Sequence, residues 1–368
     1  MTRLLRRQGI ISDTNSVIDT EESDVGMTAG YFSAIKRVRC IYDQPIEGPD
    51  TFIVKAWPEF ELAPGEDIAD MFAKDIKGYM VDSDRFYPRP KALLADYDKE
   101  ADRWALVMED ACTFGDQQLH ENEMSVDDVL RMIPRLVDLA VEWEGCDKGE
   151  KHAEIMELGA FHWASDENLS GFRQLMPGGA KLWDYMLSHA DTNLAPPDWR
   201  ANQGEDFLAL FAQKLDAWFK SVSPENGGTC TLSHGDLRGD NLFFCEPSKD
   251  YPHGWLAIDF QLMFQGPVAS DIAYLMNSGS VLPEVYQGEN RERILRTFYD
   301  SFMAKTKVYP DYSWEQFLNE YAVMSAVLFV FYSSFGAAIN QAALNDEQPT
   351  RVELDRKSTR LNSSHQII

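Results

Sequence analysis

Cysteine is scarce in this sequence, and its placement excludes two kinds of small stabilised domain. Five cysteines occur in 368 residues, and no two of them form a CxxC pair. A disulfide framework needs an even set of cysteines, and a structural zinc site commonly uses closely spaced pairs. The cysteines therefore predict reduced thiols and a cytoplasmic protein, rather than a secreted scaffold or a zinc module.

Basic residues are also in short supply. Thirty-four Lys and Arg stand against 60 Asp and Glu, which gives a net charge of -26. A field of this sign repels phosphate backbones and anionic lipid head groups. We therefore expect no nucleic-acid partner and no binding to a membrane surface through basic residues.

Targeting and membrane-spanning signals are weak. The opening MTRLLRRQGI lacks the apolar region of a secretory signal, and the acidic residues from Asp13 onward are unlike a mitochondrial presequence. A short amphipathic helix leading into the first strand is the alternative. Residues 321–339 carry no charge over nearly the length of a bilayer, but they include three serines and lack flanking basic clusters. We interpret them as a buried core helix and expect no membrane span.

The patterning predicts an α+β protein in two lobes. Alternating residues and Pro/Gly turns over 16–110 predict a small, mostly antiparallel sheet with one helix. Helical periodicity dominates from there to Leu354, interrupted by a hairpin signature within 229–260. We place the lobes at 1–110 and 111–354. The remaining residues, 355–368, resemble the translation of a sequencing-library adapter and are excluded from the fold.

The most informative segment holds three oxygen-bearing side chains. Asp236 and Asn241 lie five residues apart in HGDLRGDN, and Asp259 follows eighteen residues later in IDFQ. Phosphoryl transfer from a nucleotide needs one carboxylate to take the proton of the acceptor hydroxyl. It also needs oxygen ligands for a magnesium ion on the phosphates, and amide and carboxylate oxygens suit that ion.

The spacing HGDLRGDN, IDFQ, DIAYL resembles the aminoglycoside phosphotransferase and choline-kinase-like group, most closely its ecdysteroid-kinase-like (CHK kinase-like) branch. The resemblance implies the protein-kinase-like bilobal fold, with a sheet N-lobe that binds nucleotide and a helical C-lobe that carries the catalytic loop and the acceptor site. It implies ATP and Mg²⁺ as cofactors. The acceptor that it implies is a small molecule with a hydroxyl group: an amino alcohol, a sterol or a sugar-like compound.

The resemblance also assigns roles to residues. Asp236 matches the catalytic base, and Asn241 and Asp259 match the metal ligands. Lys55, in the apolar strand FIVKAW, matches the lysine that contacts the α- and β-phosphates. The alternative for Lys55 is an exposed residue on an edge strand.

Other positions match the family less closely. Asp75 stands where the family has a glutamate that pairs with the lysine. Because aspartate is one methylene shorter, Asp70 and Glu66 remain alternatives. Gly26 and Gly30 replace a GxGxxG loop over the phosphates. The resemblance also implies a loop-bracing His234, a structural Asp271, and an adenine hinge at Met108, Glu109 and Asp110 acting through its backbone. Arg238, from its place in the loop, is expected to cap or brace the loop.

Three alternatives to a small-molecule kinase follow from the same residues. A catalytically weak pseudokinase or nucleotide-binding module is favoured by Asp75 and by the glycine-poor loop. A metallophosphoesterase would need a GNH segment, and none occurs. A protein kinase would need an APE-like segment and an activation loop, but only about ten residues separate IDFQ from DIAYL.

Overall fold

The computed structural model describes residues 1–25, 34–56, 69–98, 103–118, 123–163, 165, 213–214, 216–278 and 280–339. The chain divides into two compact units. The first unit comprises Met1–Gln117 and Asn241–Leu262, and the second comprises Gln118–Asp240 and Met263–Ile368. The hairpin segment 241–262 therefore groups with the N-terminal residues, whereas the sequence placed it in the lobe that begins at 111.

The first unit is built on a five-stranded sheet in the order β1-β2-β3-β5-β4, in which all neighbours are antiparallel. The predicted sheet is thus present, and β3 is an interior strand. The strands are β1 (Val17–Asp24), β2 (Ala34–Tyr42), β3 (Thr51–Ala56), β4 (Ala92–Asp98) and β5 (Arg103–Glu109).

The N-terminal residues belong to the core of this unit. They form a short helix, α1 (Thr2–Arg7), whose Leu5 is fully buried and packs in one cluster with Val38 and Phe52. The Gln8 side chain donates to the carbonyl of Leu93 on β4 at 2.6 Å. The opening segment thus forms the short amphipathic helix that the sequence offered as an alternative, and its apolar side covers the sheet.

The hairpin explains the division of the chain. Its strands β8 (Leu242–Cys245) and β9 (Trp255–Ala257) form a small sheet with β6 (Gly115–Gln117) in the order β6-β8-β9. The turn that follows β9 packs on α2 (Ala69–Met80), the one helix predicted for the sheet lobe. These contacts join the hairpin to the N-terminal residues although more than a hundred residues separate them in sequence.

The second unit is mainly helical. Its first helix, α3 (Val126–Glu142), begins at a capping box, in which the Ser125 hydroxyl accepts from the Asp128 N–H and the Asp128 carboxylate accepts from the Ser125 N–H. A two-stranded antiparallel ribbon pairs β7 with β10. The elements are α3 (Val126–Glu142), α4 (Gly149–Leu158), β7 (Thr231–Ser233), β10 (Phe264–Gly266), α5 (Ser270–Asn277), α6 (Gly288–Met303) and α7 (Trp314–Ile339).

The charge-free segment 321–339 lies within α7, as the sequence predicted for a helix. Over the part of the chain that the structure describes, no helix combines the length and hydropathy that crossing a bilayer requires. Instead α7 packs against α5, and Tyr321 and Met324 on it are buried.

Candidate active site

Lys55 occupies the centre of the five-stranded sheet. It lies on β3 between Ile35 of β2 and Leu106 of β5, so the edge-strand alternative is wrong. Its ammonium nitrogen Nζ is 2.7 Å from Oδ2 of Asp75 and 3.5 Å from Oδ1 of Asp259. The first unit therefore brings together three residues that are up to about two hundred positions apart in the sequence.

The two carboxylates compensate the burial of the Lys55 charge. Burial by itself lowers the pKa of a lysine, because it disfavours the charged form. The negative charges of Asp259 and Asp75 outweigh that effect and raise the pKa of Lys55 above its usual value. Lys55 is therefore a fixed, buried positive charge, which is what the binding of a polyphosphate requires.

Asp75 makes contact with Lys55 despite its short side chain. Its Oδ2 accepts from Lys55, and its Oδ1 accepts from the backbone N–H of Phe260 at 2.9 Å. Gly78, nearly one turn further along α2, explains how the Asp75 carboxylate reaches Lys55. A Cβ at Gly78 would lie 2.9 Å from the Cβ of Phe260, so only glycine lets the helix come this close.

Asp259 has an unusual backbone. Among the described residues it is the only non-glycine residue with positive φ, at 70°. Such a conformation costs free energy for a residue with a Cβ and is concentrated at functional sites. The neighbours hold it there: the next N–H, from Phe260, is bound by Asp75, and the Gln261 amide donates to Oδ2 of Asp259 at 3.2 Å.

Asn241 and Asp259 flank the same end of the hairpin. Leu242 on β8 faces Ala257 on β9, and the carbonyl of Asn241 accepts from the Ile258 N–H at 3.0 Å. Both residues offer oxygen donors, the type that Mg²⁺ prefers. No cluster of three His, Cys, Asp or Glu side chains fit to hold a metal occurs within the described residues. Two protein ligands nevertheless suit Mg²⁺, which keeps water and phosphate oxygens around it.

The second unit carries the loop after β7, in which backbone contacts brace His234. The backbone N–H of His234 donates to Oδ1 of Asp271 at 3.0 Å, and its ring Nδ1 accepts from the N–H of Asp236 at 3.2 Å. The imidazole is thus in the tautomer that accepts at Nδ1. Asp271, in the first turn of α5, ties that helix to the loop.

One oxygen of the Asp236 carboxylate, Oδ1, lies close to two side chains of the second unit. The Tyr274 hydroxyl donates to Oδ1 at 2.5 Å, and Nε of Arg238 lies 3.2 Å from the same atom. Arg238 also lies 3.5 Å from Asp240 through Nη1, so it braces the loop. Tyr274 was not among the residues predicted from the sequence. Its spacing of three from Asp271, on one helix face, was the signal that could have found it.

The predicted hinge follows β5 in the first unit. The Asp110 carboxylate accepts from Arg37 at 2.6 Å and caps a short 3-10 turn through the N–H of Cys112. Glu109 accepts from the hydroxyl of Tyr251, and Met108 is buried. These contacts fix the path of the chain, while the backbone contact with adenine stays a prediction.

Several predicted positions lie outside the described residues. They include the glycines of the covering loop and one alternative partner for Lys55, as well as the tail. These positions are Gly26, Gly30, Glu66 and residues 355–368.

Part of the chain is similar to a family of known proteins. Residues 167–309 match the model of the ecdysteroid kinase-like family. The chain is similar to that family. The resemblance predicted from the motifs is thereby confirmed, and the match supports the predicted enzyme class, a small-molecule kinase. A search of curated protein sequences found no match.

One solved structure confirms the fold class. A variant of aminoglycoside 2′-phosphotransferase IIIa in complex with GDP superposes with a TM-score of 0.52 at 14% identity, covering 99% of this chain and 98% of its own. An amicoumacin kinase in complex with AMP-PNP and Ca²⁺ has a TM-score of 0.47 at 14% identity, with coverages of 93% and 87%. A choline/ethanolamine kinase family protein from Mesorhizobium loti has a TM-score of 0.42 at 11% identity, covering 94% of this chain and 92% of its own. The first of these shows that the α+β, protein-kinase-like fold is present.

Proposed function

We propose that this chain transfers the γ-phosphoryl group of ATP to a hydroxyl of a small molecule. The observation that carries the proposal is the contact of Lys55 with Asp259. It joins a buried lysine on a central strand to Asp259 of the IDFQ motif. The backbone of Asp259 has a positive φ. A phosphate-binding cation beside a candidate metal ligand is the arrangement that nucleotide phosphates require.

Each residue has a distinct role in the proposed reaction. Lys55 binds the α- and β-phosphate oxygens, and Asp75 keeps its ammonium group in place. Asn241 and Asp259 would hold Mg²⁺, which neutralises charge on the β- and γ-phosphates when bound. Asp236 accepts the proton of the acceptor hydroxyl while the oxygen of that hydroxyl bonds to the γ-phosphorus. The bond from that phosphorus to the β-phosphate oxygen breaks, and ADP leaves.

The experiment is a screen of amino alcohols, sterols and sugars with labelled ATP and Mg²⁺, followed by variants assayed on the best acceptor. Asp236→Asn removes the base and keeps the size of the side chain. We expect kcat to fall by about 10² to 10⁴-fold with nucleotide affinity nearly unchanged. Asp138→Asn, an exposed residue of α3 paired with Lys305, is the matched control and should retain full activity.

Two outcomes would contradict the proposal. Unchanged turnover in Asp236→Asn would remove the base from the mechanism. Binding of ATP without transfer to any acceptor would favour a pseudokinase. The short Asp75 no longer supports that alternative, since Asp75 reaches Lys55 at 2.7 Å.

A further inference from the structure

We propose that Tyr251 is a positioning residue for nucleotide binding, because its contacts hold the predicted adenine hinge, residues 108–110, to the hairpin of β8 and β9. This inference rests on the nucleotide binding in the proposed function. It assigns a role to a residue in the polar loop between the two strands, which the proposed reaction does not use. Tyr251 acts through the side chain of Glu109 rather than by contact with the nucleotide.

The Tyr251 hydroxyl binds two neighbouring strands at the end of the sheet where the hinge begins. It donates to Oε2 of Glu109, the last residue of β5, and accepts from the backbone N–H of Lys91 at 3.3 Å. Lys91 immediately precedes β4, and its carbonyl accepts from the Glu109 N–H at 3.0 Å. Hydrogen bonds to a carboxylate are stronger than those between neutral groups. The Glu109 contact is therefore the main bond of the Tyr251 hydroxyl.

The chain just after the hinge packs on the same tyrosine. The Tyr251 ring stacks on Phe114, with 5.0 Å between the ring centroids and 9° between the planes. Tyr251 also packs against a buried cluster that joins Ala111, in the turn after the hinge, to Phe243 of β8 and Leu256 of β9. Apolar burial and ring stacking thus attach this turn to the hairpin.

Other contacts fix both partners of the Tyr251–Glu109 bond. On the hairpin, the Tyr251 N–H donates to the Ser248 hydroxyl at 3.0 Å, and the Tyr251 carbonyl accepts from the Ser248 N–H at 3.2 Å. On the hinge, the Asp110 carboxylate accepts from Arg37 of β2 at 2.6 Å. Two successive hinge residues are therefore held by side chains from two different segments.

A hinge that is fixed in advance should bind nucleotide more tightly. The predicted contact with adenine uses backbone groups, and their positions depend on the path of the chain. Where that path is already held, binding does not have to order it, so less free energy is lost on binding. The hairpin also carries Asn241 before β8 and Asp259 after β9. The same contact therefore sets the base site relative to the candidate metal ligands.

The test is Tyr251→Phe, which keeps the ring on Phe114 and removes only the hydroxyl. The matched control is Tyr42→Phe on β2 of the same unit, where the hydroxyl donates to the carbonyl of Pro49 at 2.9 Å. Calorimetric titration gives the affinity of each protein for three probes: ATP with Mg²⁺, adenosine, and tripolyphosphate with Mg²⁺. Adenosine presents the base without phosphates, and tripolyphosphate presents the phosphates without the base.

We expect Tyr251→Phe to weaken the binding of ATP and of adenosine by about 3 to 10-fold, because the ligand must then order a hinge that has lost a hydrogen bond. Tripolyphosphate depends on Lys55 and the candidate metal ligands, so its affinity should stay within about 2-fold. A general loss of structure would weaken both kinds of ligand. The Tyr42→Phe control should leave all three affinities unchanged.

A second variant tests whether Tyr251 acts through Glu109. Glu109→Ala removes the acceptor and should weaken adenosine binding by a factor similar to that of Tyr251→Phe. The double variant should bind adenosine no more weakly than the weaker of the two single variants, because both changes remove the same bond. Losses that multiply in the double variant would overturn this link.

The outcomes separate this inference from the proposed function. Unchanged adenosine affinity in Tyr251→Phe, or equal losses for adenosine and tripolyphosphate, overturns the positioning role whatever the transfer activity. Weakened adenosine binding, in a protein whose wild type binds ATP but phosphorylates no acceptor, supports the positioning role and refutes the transfer reaction. A wild-type protein that binds neither ATP nor adenosine refutes both.

Discussion

Lys55 shows how single side chains set the chemistry of the first unit. A buried ammonium group is unfavourable unless opposite charge lies close by. Asp75 and Asp259 supply that charge from two different segments, so the contacts that compensate its burial also hold the cation that we propose binds phosphate. At this scale, stability and the proposed function depend on the same three residues.

Removing the charge of Asp75 should therefore cost stability. Asp75→Asn leaves Lys55 with Asp259 alone, and we expect the free energy of unfolding to fall by about 2 to 3 kcal/mol, since breaking a buried ion pair leaves a charge poorly compensated. Urea unfolding measures the change. The control is Glu21→Gln, whose partner Arg39 is exposed on the same unit and whose loss should matter little. Equal unfolding midpoints for the two variants would contradict the expectation.

At the scale of the element, α2 lies close to the turn after β9. This close approach decides whether a carboxylate as short as that of Asp75 can reach both Lys55 and the Phe260 N–H. Gly78 makes that approach possible, because the ring and Cβ of Phe260 fill the space that another side chain would need. The aromatic rings of Tyr79 and Phe86 pack edge-on against the same ring, at 5.3 and 4.9 Å between centroids. The helix is thus held at a distance that matches the length of aspartate.

Gly78→Ala tests this distance. Alanine gains about 1 kcal/mol of helix propensity, but overpacking against Phe260 costs about 1 to 3 kcal/mol, and the 2.9 Å approach favours the larger cost. We expect net destabilisation by about 1 to 2 kcal/mol in urea unfolding. Gly48→Ala, where the nearest atom is at 3.5 Å, should change stability little.

A longer acidic side chain at position 75 should compensate for the wider spacing between α2 and the turn after β9 that Gly78→Ala produces. Asp75→Glu alone overfills the present gap, whereas in the Gly78→Ala background its extra methylene bridges the displaced helix. The double variant should therefore be about 1 kcal/mol more stable than the sum of the single changes predicts. Strict additivity would show that Gly78 and Asp75 are independent.

At the scale of the whole molecule, a buried carboxylate from the last described helix organises the second unit. Glu320 on α7 accepts from the N–H and hydroxyl of Thr229, at 2.7 and 2.9 Å, and from the Tyr312 hydroxyl at 2.5 Å. The Thr229 hydroxyl in turn accepts from the Val268 N–H at 2.8 Å. Thr229 precedes β7 and Val268 precedes α5, so Glu320 holds the starts of both elements that carry Asp236 and its partners.

Glu320 should make stability depend on pH. Burial raises its pKa from 4.5 to about 7, although the donors around it act in the opposite direction. The folded state therefore binds the proton more tightly than the unfolded state. The stabilisation is fully present below about pH 4.5 and is lost as pH rises through about 7.

The variant Glu320→Gln removes this titration. Its stability relative to wild type should increase between pH 5 and 8, with a slope of at most about 1.4 kcal/mol per pH unit, measured by urea unfolding at each pH. Glu315→Gln, exposed on the same helix, should show a constant difference. If the difference in stability between Glu320→Gln and wild type is also independent of pH, the raised pKa of Glu320 is contradicted.

Local patterns in the sequence were enough to predict the order of the elements and the main candidates for chemistry. Alternation and helical periodicity reflect which faces are buried, so the antiparallel sheet, the capping box of α3, the hairpin and α7 could be predicted locally. The loop and hairpin motifs hold Asp236, Asn241 and Asp259 at short sequence spacing, and the resemblance to a kinase family followed from that spacing alone.

Contacts between residues that are distant in sequence depend on the packing of the whole fold. Asp75 as the partner of Lys55, Gly78 as the reason that it reaches, Tyr274 on Asp236 and Glu320 on Thr229 are contacts between residues 20 to 185 positions apart. Such contacts depend on how helices pack against strands and loops, to within a few tenths of an ångström. Local propensity carries no information on that spacing, because it is set by side chains from other parts of the chain.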